Sequence, residues 1–163
     1  MVNIYDTIEE TININRQTAE SKKVTFHNKL SAQLFVKADQ EHLNSVLRNL
    51  ASNAIKFSHE GGKVIFCARQ EEESVVICVK DQGIGIQEER LKDIFHAGST
   101  TWGTAGEKGT GLGLALCKEF VEQNRGKIWV SSKVGSGSTF FIAFPSNVNP
   151  SKTQPSALSN ATL

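Results

Sequence analysis

The stretch Leu47 to Ser58, Leu-Arg-Asn-Leu-Ala-Ser-Asn-Ala-Ile-Lys-Phe-Ser, carries two stripes at once, and that limits where it can sit in a fold. Leu43, Val46, Leu47, Leu50, Ala54 and Phe57 recur at three- and four-residue steps, so they share one face of a helix. Asn49, Asn53 and Lys56 follow the same period. At about 100° per residue they form a second, polar stripe roughly a quarter turn from the apolar one. The apolar stripe must be buried, which places the polar one at the margin of the core. Two amides and an ammonium in a row can hold an anion and, through an amide oxygen, a hard cation. Taken alone, they equally describe a helix face turned to water.

The rest of the chain gives this helix its setting. Ile4, Ile8 and Ile12 predict a helix over 4–20. Short strands are expected at 24–28 and 34–37, and Asp39 is placed to cap the striped helix. His59-Glu60-Gly61-Gly62 is turn chemistry. The β-branched runs 63–69 and 74–80 form a hairpin across an acidic turn. A short helix is expected at 87–95, then a mobile loop over 97–109 that is rich in Gly, Ser and Thr. An amphipathic helix is expected over 112–123, with Leu112, Leu116, Phe120 and Val121 inward and Gly126 ending it in the left-handed conformation. Strands at 127–132 and 139–144 close the series around Gly135-Ser136-Gly137. After Pro145 little can be buried, and 146–163 is expected to be disordered.

Helices interleaved with antiparallel hairpins predict a single α+β domain built as a two-layer sandwich. With 163 residues there is enough chain for one core. A net charge of +1 gives no global field for nucleic acid or an anionic membrane. No apolar run approaches a membrane span. Cys67, Cys78 and Cys117 all fall inside apolar runs and are read as reduced core residues of a cytoplasmic protein.

Two glycine-rich segments carry the chemistry. In Asp81-Gln82-Gly83-Ile84-Gly85 a carboxylate ends a strand, and two glycines let backbone approach a ligand or take φ > 0. The same residues also suit a plain turn with a local Asp bond. Lys108-Gly109-Thr110-Gly111-Leu112-Gly113-Leu114 opens a helix. Its exposed N–H groups and the helix dipole suit a phosphate, and the same residues equally describe a helix with a flexible start. It is neither a P-loop, because no Gly-Lys-Ser or Gly-Lys-Thr occurs, nor a dinucleotide fingerprint, because position 114 is Leu and no strand precedes it. The loop from Ser99 to Lys108 has the composition of a lid, and Trp102 within it has no evident role.

The order of these segments is more informative than any one of them. Asn49, Asn53 and Lys56, then Asp-x-Gly-x-Gly, Phe95, Gly-Thr-Gly-Leu-Gly-Leu and Gly-x-Gly-Ser-Thr-Phe together resemble the ATP-binding catalytic domain of sensor histidine kinases. That family belongs with gyrase, Hsp90 and MutL, and the resemblance covers roughly residues 1–145. It implies a sandwich of the Bergerat type, a mixed and mainly antiparallel sheet on three main helices, with ATP held under the lid. It also implies that Asn53 binds Mg²⁺, that Asn49 and Lys56 touch the phosphates, and that Phe57 packs at the nucleotide. Asp81 would accept the adenine amino group, with Gly83 and Gly85 allowing close approach. Ile86, Ile94 and Phe95 would wall the base or steady the lid. Gly109, Thr110, Gly111, Leu112 and Gly113 would offer N–H groups to the phosphates, Lys108 would neutralise the γ-phosphate, and Thr139 would support the adenine side.

Two departures qualify the resemblance. His96-Ala97-Gly98 follows Phe95 where the family often has a second aromatic. None of His27, His42, His59 and His96 has the setting of the family's phosphoacceptor, a helix with an acid and soon a proline after the histidine: His42 is on a helix, but Leu43-Asn44 follow it. The expected partners are therefore a separate dimerisation and phosphoacceptor domain and, indirectly, a response regulator. Residues 1–20 would be a linker helix continuing from that missing domain, 21–145 the catalytic domain, and the isolated chain a monomer. Where hydrolytic relatives place a water-activating glutamate, this chain has Asn49, which cannot take a proton at neutral pH. This favours transfer to a tethered acceptor over hydrolysis. A serine/threonine kinase of the anti-sigma-factor type and a non-catalytic ATP switch remain open alternatives.

Overall fold

The striped helix, α2 (Gln40–Phe57), is the spine of the structure. The computed structural model describes residues 1–146. The tail expected over 146–163 lies, apart from Ser146, outside the described residues; Ser146 N donates to the Glu73 carbonyl at 2.9 Å. α2 begins where the Asp39 carboxylate accepts from the His42 N–H at 3.0 Å, and it buries Leu43, Val46, Leu47, Leu50, Ala51, Ala54 and Ile55. Ahead of it come β1 (Val2–Asn3), α1 (Ile4–Ser21), β2 (Thr25–Asn28) and β3 (Phe35–Val36). After it come β4 (Lys63–Gln70), β5 (Ser74–Asp81), α3 (Glu88–Leu91), α4 (Gly113–Gln123), β6 (Lys127–Lys133) and β7 (Gly137–Pro145).

The main sheet has five strands in the order β2-β4-β5-β7-β6. Only β2 and β4 run parallel; the other pairs are antiparallel. α1 and α4 flank α2, and this helical layer covers the sheet face formed by Val64, Phe66, Ile77, Val79, Phe140, Ile142 and Phe144. The outcome is the expected two-layer α+β sandwich. On the other face Trp129 stacks on Phe141 at 5.3 Å. Among the described residues no helix is long and apolar enough to cross a membrane.

Several local expectations change. α1 starts at a cap, with Asn3 Oδ1 accepting from Tyr5 N at 3.0 Å, and the residues before the cap pair with β3. Its start is therefore a strand-to-helix turn. The short helix expected over 87–95 holds only over Glu88–Leu91. Leu112 and Leu116 are exposed, while α4, which begins at Gly113, buries Val121 as expected and Cys117 in addition. The left-handed residue after α4 is Arg125, at φ 59°, not Gly126. Gly126 answers a different need: a Cβ there would lie 2.5 Å from the Ala143 carbonyl oxygen.

The cysteines also depart from expectation. Cys67 and Cys78 face each other across β4 and β5 with Cα atoms 5.1 Å apart, and they form a disulfide. Strand alternation placed each in an apolar run but could not reveal their shared register. Only Cys117 is a free, buried thiol, pushed up to about 12 by burial. The pairing removes the cysteine-based argument for a reducing compartment.

Candidate functional site

Asn49, Asn53 and Lys56 emerge, half-buried, where α2 passes under the loop between α3 and α4. That loop reaches them through glycines. A Cβ on Gly113 would lie 2.5 Å from Asn49 Nδ2, and one on Gly109 would lie 2.7 Å from Lys56 Nζ. Gly103 presses on the Lys56 stem, where its Cβ would be 2.6 Å from Cγ. Asn53 Nδ2 donates to Asn49 Oδ1 at 3.4 Å, which leaves the Asn53 amide oxygen for another partner. Lys56 Nζ stands 4.8 Å from the Phe57 ring. Burial lowers its pKa, partly offset by the charge of Glu107, and an incoming anion would reverse that shift.

α4 begins at this edge without a side-chain cap, since the residue before it is Leu112. Its first N–H groups are therefore available beside Asn49, and the helix dipole makes the place favourable for negative charge. Gly111 takes φ 70° and its carbonyl accepts from Gly98 N at 2.8 Å, which ties the two ends of the loop together. Leu112 N is held by Thr110 Oγ1 at 3.3 Å, while the Leu112 side chain points to solvent. Lys108 is directed to the lid: its Nζ lies 5.9 Å from the Trp102 ring, which gives that tryptophan a neighbour.

The second half of the site forms at the end of β5. Asp81 is 3% exposed. One of its oxygens, Oδ1, accepts from Gly83 N at 2.8 Å and Ser138 N at 3.2 Å. Burial raises the carboxyl pKa and the two N–H groups oppose the rise. Gly83 is demanded by contact, because a Cβ there would sit 2.0 Å from the Phe57 carbonyl oxygen. That oxygen accepts from Ile84 N at 3.2 Å, joining the turn to the end of α2. Gly85, at φ 71°, abuts the Lys133 carbonyl. Ile86 N donates to Ser132 Oγ at 2.8 Å. Ile94 is buried in the core, and Phe95 meets Phe140 edge-on at 6.3 Å.

Thr139 requires a correction. Strand alternation puts it in register with Lys80, on the face away from the helices. Ser138 is the residue on the Asp81 side: it is 6% exposed, and its hydroxyl shares a 2.7 Å bond with Ser132. Neither serine was singled out from sequence. The alternation of Phe140, Ile142 and Phe144 inward was the signal that could have found Ser138.

The arrangement therefore has an anion-friendly half, comprising Asn49, Lys56 and the glycine start of α4, and a carboxylate half at Asp81, bridged by Phe57. Asn53 is one hard oxygen donor of the kind Mg²⁺ takes. A single donor fits such an ion only if phosphate and water oxygens complete its shell.

Comparison with known proteins accords with this geometry. The chain is 38% identical over 152 residues to the autoinducer 2 sensor kinase/phosphatase LuxQ of Vibrio vulnificus (strain YJ016), an alignment covering 88% of this chain and 18% of that protein. It thus spans about a fifth of that relative's length. The catalytic domain of histidine kinase ThkA, in a nucleotide-free form, superposes with a TM-score of 0.77 at 30% identity, covering 88% of this chain and 94% of that one. Full-length ShkA in complex with AMPPNP superposes with a TM-score of 0.76 at 27% identity, covering 88% of this chain and 30% of that one. Residues 38–148 match the family model of histidine kinase-, DNA gyrase B- and HSP90-like ATPases, and by that match the chain belongs to this ATPase family.

Proposed function

We propose that this chain is the ATP-binding catalytic domain of a two-component sensor histidine kinase and that it transfers the ATP γ-phosphoryl group to a histidine on a separate domain. The observation that carries the reading is the seating of Gly109 and Gly113 against Lys56 and Asn49, so close that a Cβ would clash, which brings the backbone at the start of α4 up to the ammonium and the amide that would hold phosphate. The sensor-kinase and AMPPNP-bound relatives favour it over a serine/threonine kinase or a silent switch.

In this mechanism Asp81 accepts the adenine amino group through the carboxylate oxygen that the two backbone N–H groups leave free. Lys56 and the uncapped N–H groups of α4 neutralise and orient the phosphates. Mg²⁺, held from the protein side by Asn53, would supply charge neutralisation between phosphate oxygens. Asn49 offers no proton acceptor, so water is not activated at the helix and the nucleophile comes from outside the chain. The acceptor histidine attacks the γ-phosphorus in line, the bond to the β,γ-bridging oxygen breaks, and ADP leaves. Such a domain works in the cytoplasm, where ATP and a response regulator are found.

The test is calorimetric titration of the chain with ATP and GTP, with and without Mg²⁺, followed by transfer to an added phosphoacceptor domain. Saturable binding of ATP but not GTP, and label appearing on the acceptor histidine, are expected. Absence of binding at millimolar ATP would sink the reading.

A further inference from the structure

Under the lid lies an ammonium from a distant part of the chain. Lys22, at the end of α1, is outside the family-matched residues 38–148 and its side chain is 11% exposed. Its Nζ donates to the Ile55 carbonyl at 3.0 Å, the Lys56 carbonyl at 2.7 Å and Glu107 Oε1 at 2.8 Å. An ammonium has three donors, and all three are used. Two reach the carbonyls of Ile55 and Lys56 in the last turn of α2, of which Ile55's also accepts from Ser58 N at 3.3 Å, and the third reaches the lid.

Glu107 in turn shapes the lid. Its other carboxylate oxygen accepts from Ala105 N at 2.9 Å, and its carbonyl accepts from Gly103 N at 2.8 Å. Thr104 fastens the same turn to α2, its N–H donating to the Lys56 carbonyl at 3.1 Å and its hydroxyl to the Ser58 carbonyl at 2.6 Å. Gly103, fixed by this turn, lies against the Lys56 stem whose head stands beside Gly109. A path of direct contacts thus runs from Lys22 through Glu107 and Gly103 to Lys56.

We propose that Lys22 is a positioning residue for phosphate binding: through Glu107 it docks the base of the lid on the end of α2 and so sets Lys56 toward the phosphates. The proposal rests on the nucleotide reading given above. It assigns α1 a part in the site beyond filling the core, since movement at the end of α1 would be felt by the lid. Adenine, held at Asp81 on the other side of Phe57, stands outside this path.

The experiment compares Lys22→Met, Lys22→Arg and Glu107→Gln in the whole chain with Trp129→Phe as background, so that Trp102 is the sole fluorescent reporter and lies in the lid. Affinities for ATP and for adenosine are measured together with Trp102 anisotropy and thermal melting. Lys22→Met is expected to weaken ATP about tenfold, as loss of a partly buried charge contact does, to leave adenosine unchanged and to lower Trp102 anisotropy. Glu107→Gln should move ATP in the same direction, and Lys22→Arg should restore it. Unchanged ATP affinity in Lys22→Met overturns the proposal. So does a parallel loss of ATP and adenosine with a collapsed melt, which would make Lys22 merely structural. An effect of Lys22→Met that Glu107→Gln fails to share overturns the route through Glu107. If the unmutated background binds neither ligand, the nucleotide reading itself has failed, and this proposal with it.

Discussion

Asp81 separates the needs of the fold from those of the ligand. Its folded-state pKa is raised from 3.8, so the folded chain binds a proton more readily than the unfolded one. Its contribution to stability is best at low pH and declines as pH rises from 3.8 through the raised value. Asp81→Asn keeps an acceptor for the Gly83 and Ser138 N–H groups and removes the buried charge. Thermal melts should therefore show the variant at least as stable as the wild type at pH 7, with the gap narrowing toward pH 4. Calorimetry should show ATP affinity lower by about ten- to hundredfold, the cost of losing a hydrogen bond to a charged group. A variant that binds ATP normally would place the adenine contact elsewhere. Ser138 and Thr139 make a second residue-scale test. Ser138→Ala breaks the buried hydroxyl pair with Ser132 and should cost about 1 kcal/mol in urea unfolding. Thr139→Val, on the outer face, should stay within about 0.5 kcal/mol and leave ATP binding unchanged.

Among the elements, the start of α4 is where local stability and function oppose each other. Alanine is a better helix former than glycine by about 1 kcal/mol, so Gly113→Ala should hold or raise the melting temperature. The added Cβ would nevertheless press on Asn49 and occupy the cradle, so ATP binding should fall at least about tenfold, the scale of one lost charge-assisted contact. Gly83→Ala offers the contrast. Its Cβ meets the backbone of Phe57 rather than a side-chain amide, so α2 and the β5 turn must separate. Unfolding should become easier by about 2 kcal/mol or more, the scale of an overpacked site. Equal melting of the two variants would contradict this distinction. Both glycine segments were legible in the sequence, one as a turn that lets backbone approach closely and one as a helix start with free N–H groups. Their contacts with Asn49 and Phe57 were not, because those partners lie far away in the chain.

For the whole molecule, the disulfide joins the two strands at the middle of the sheet. Cys67 and Cys78 are separated by 11 positions. Closing so short a loop contributes at most about 3 kcal/mol by chain entropy. Reductant should lower the melting temperature of the wild type and leave a Cys67→Ala/Cys78→Ala variant unmoved. A wild-type melt indifferent to reductant would mean that the bond adds nothing to the fold. Nucleotide binding should persist after reduction, because the pair lies on the sheet face away from α2 and the lid.

The sequence by itself determined the elements and the chemical character of the site. Periods of 3.6 and 2 residues are local properties, and they located α2, the two hairpins and the stripe of Asn49, Asn53 and Lys56. Glycine also declares itself locally, since a chain that needs φ > 0 or close approach has few other choices. Tertiary structure alone decided what depends on register and distance. It turned Ser138 rather than Thr139 toward Asp81, and it paired Cys67 with Cys78. It exposed Leu112 by starting α4 one residue later, and it brought Lys22 beneath Glu107 across 85 positions of sequence. The reason is the same each time. A one-residue shift reverses the face of a strand or turns a helix by about 100°, and no local pattern records which distant backbone will lie alongside.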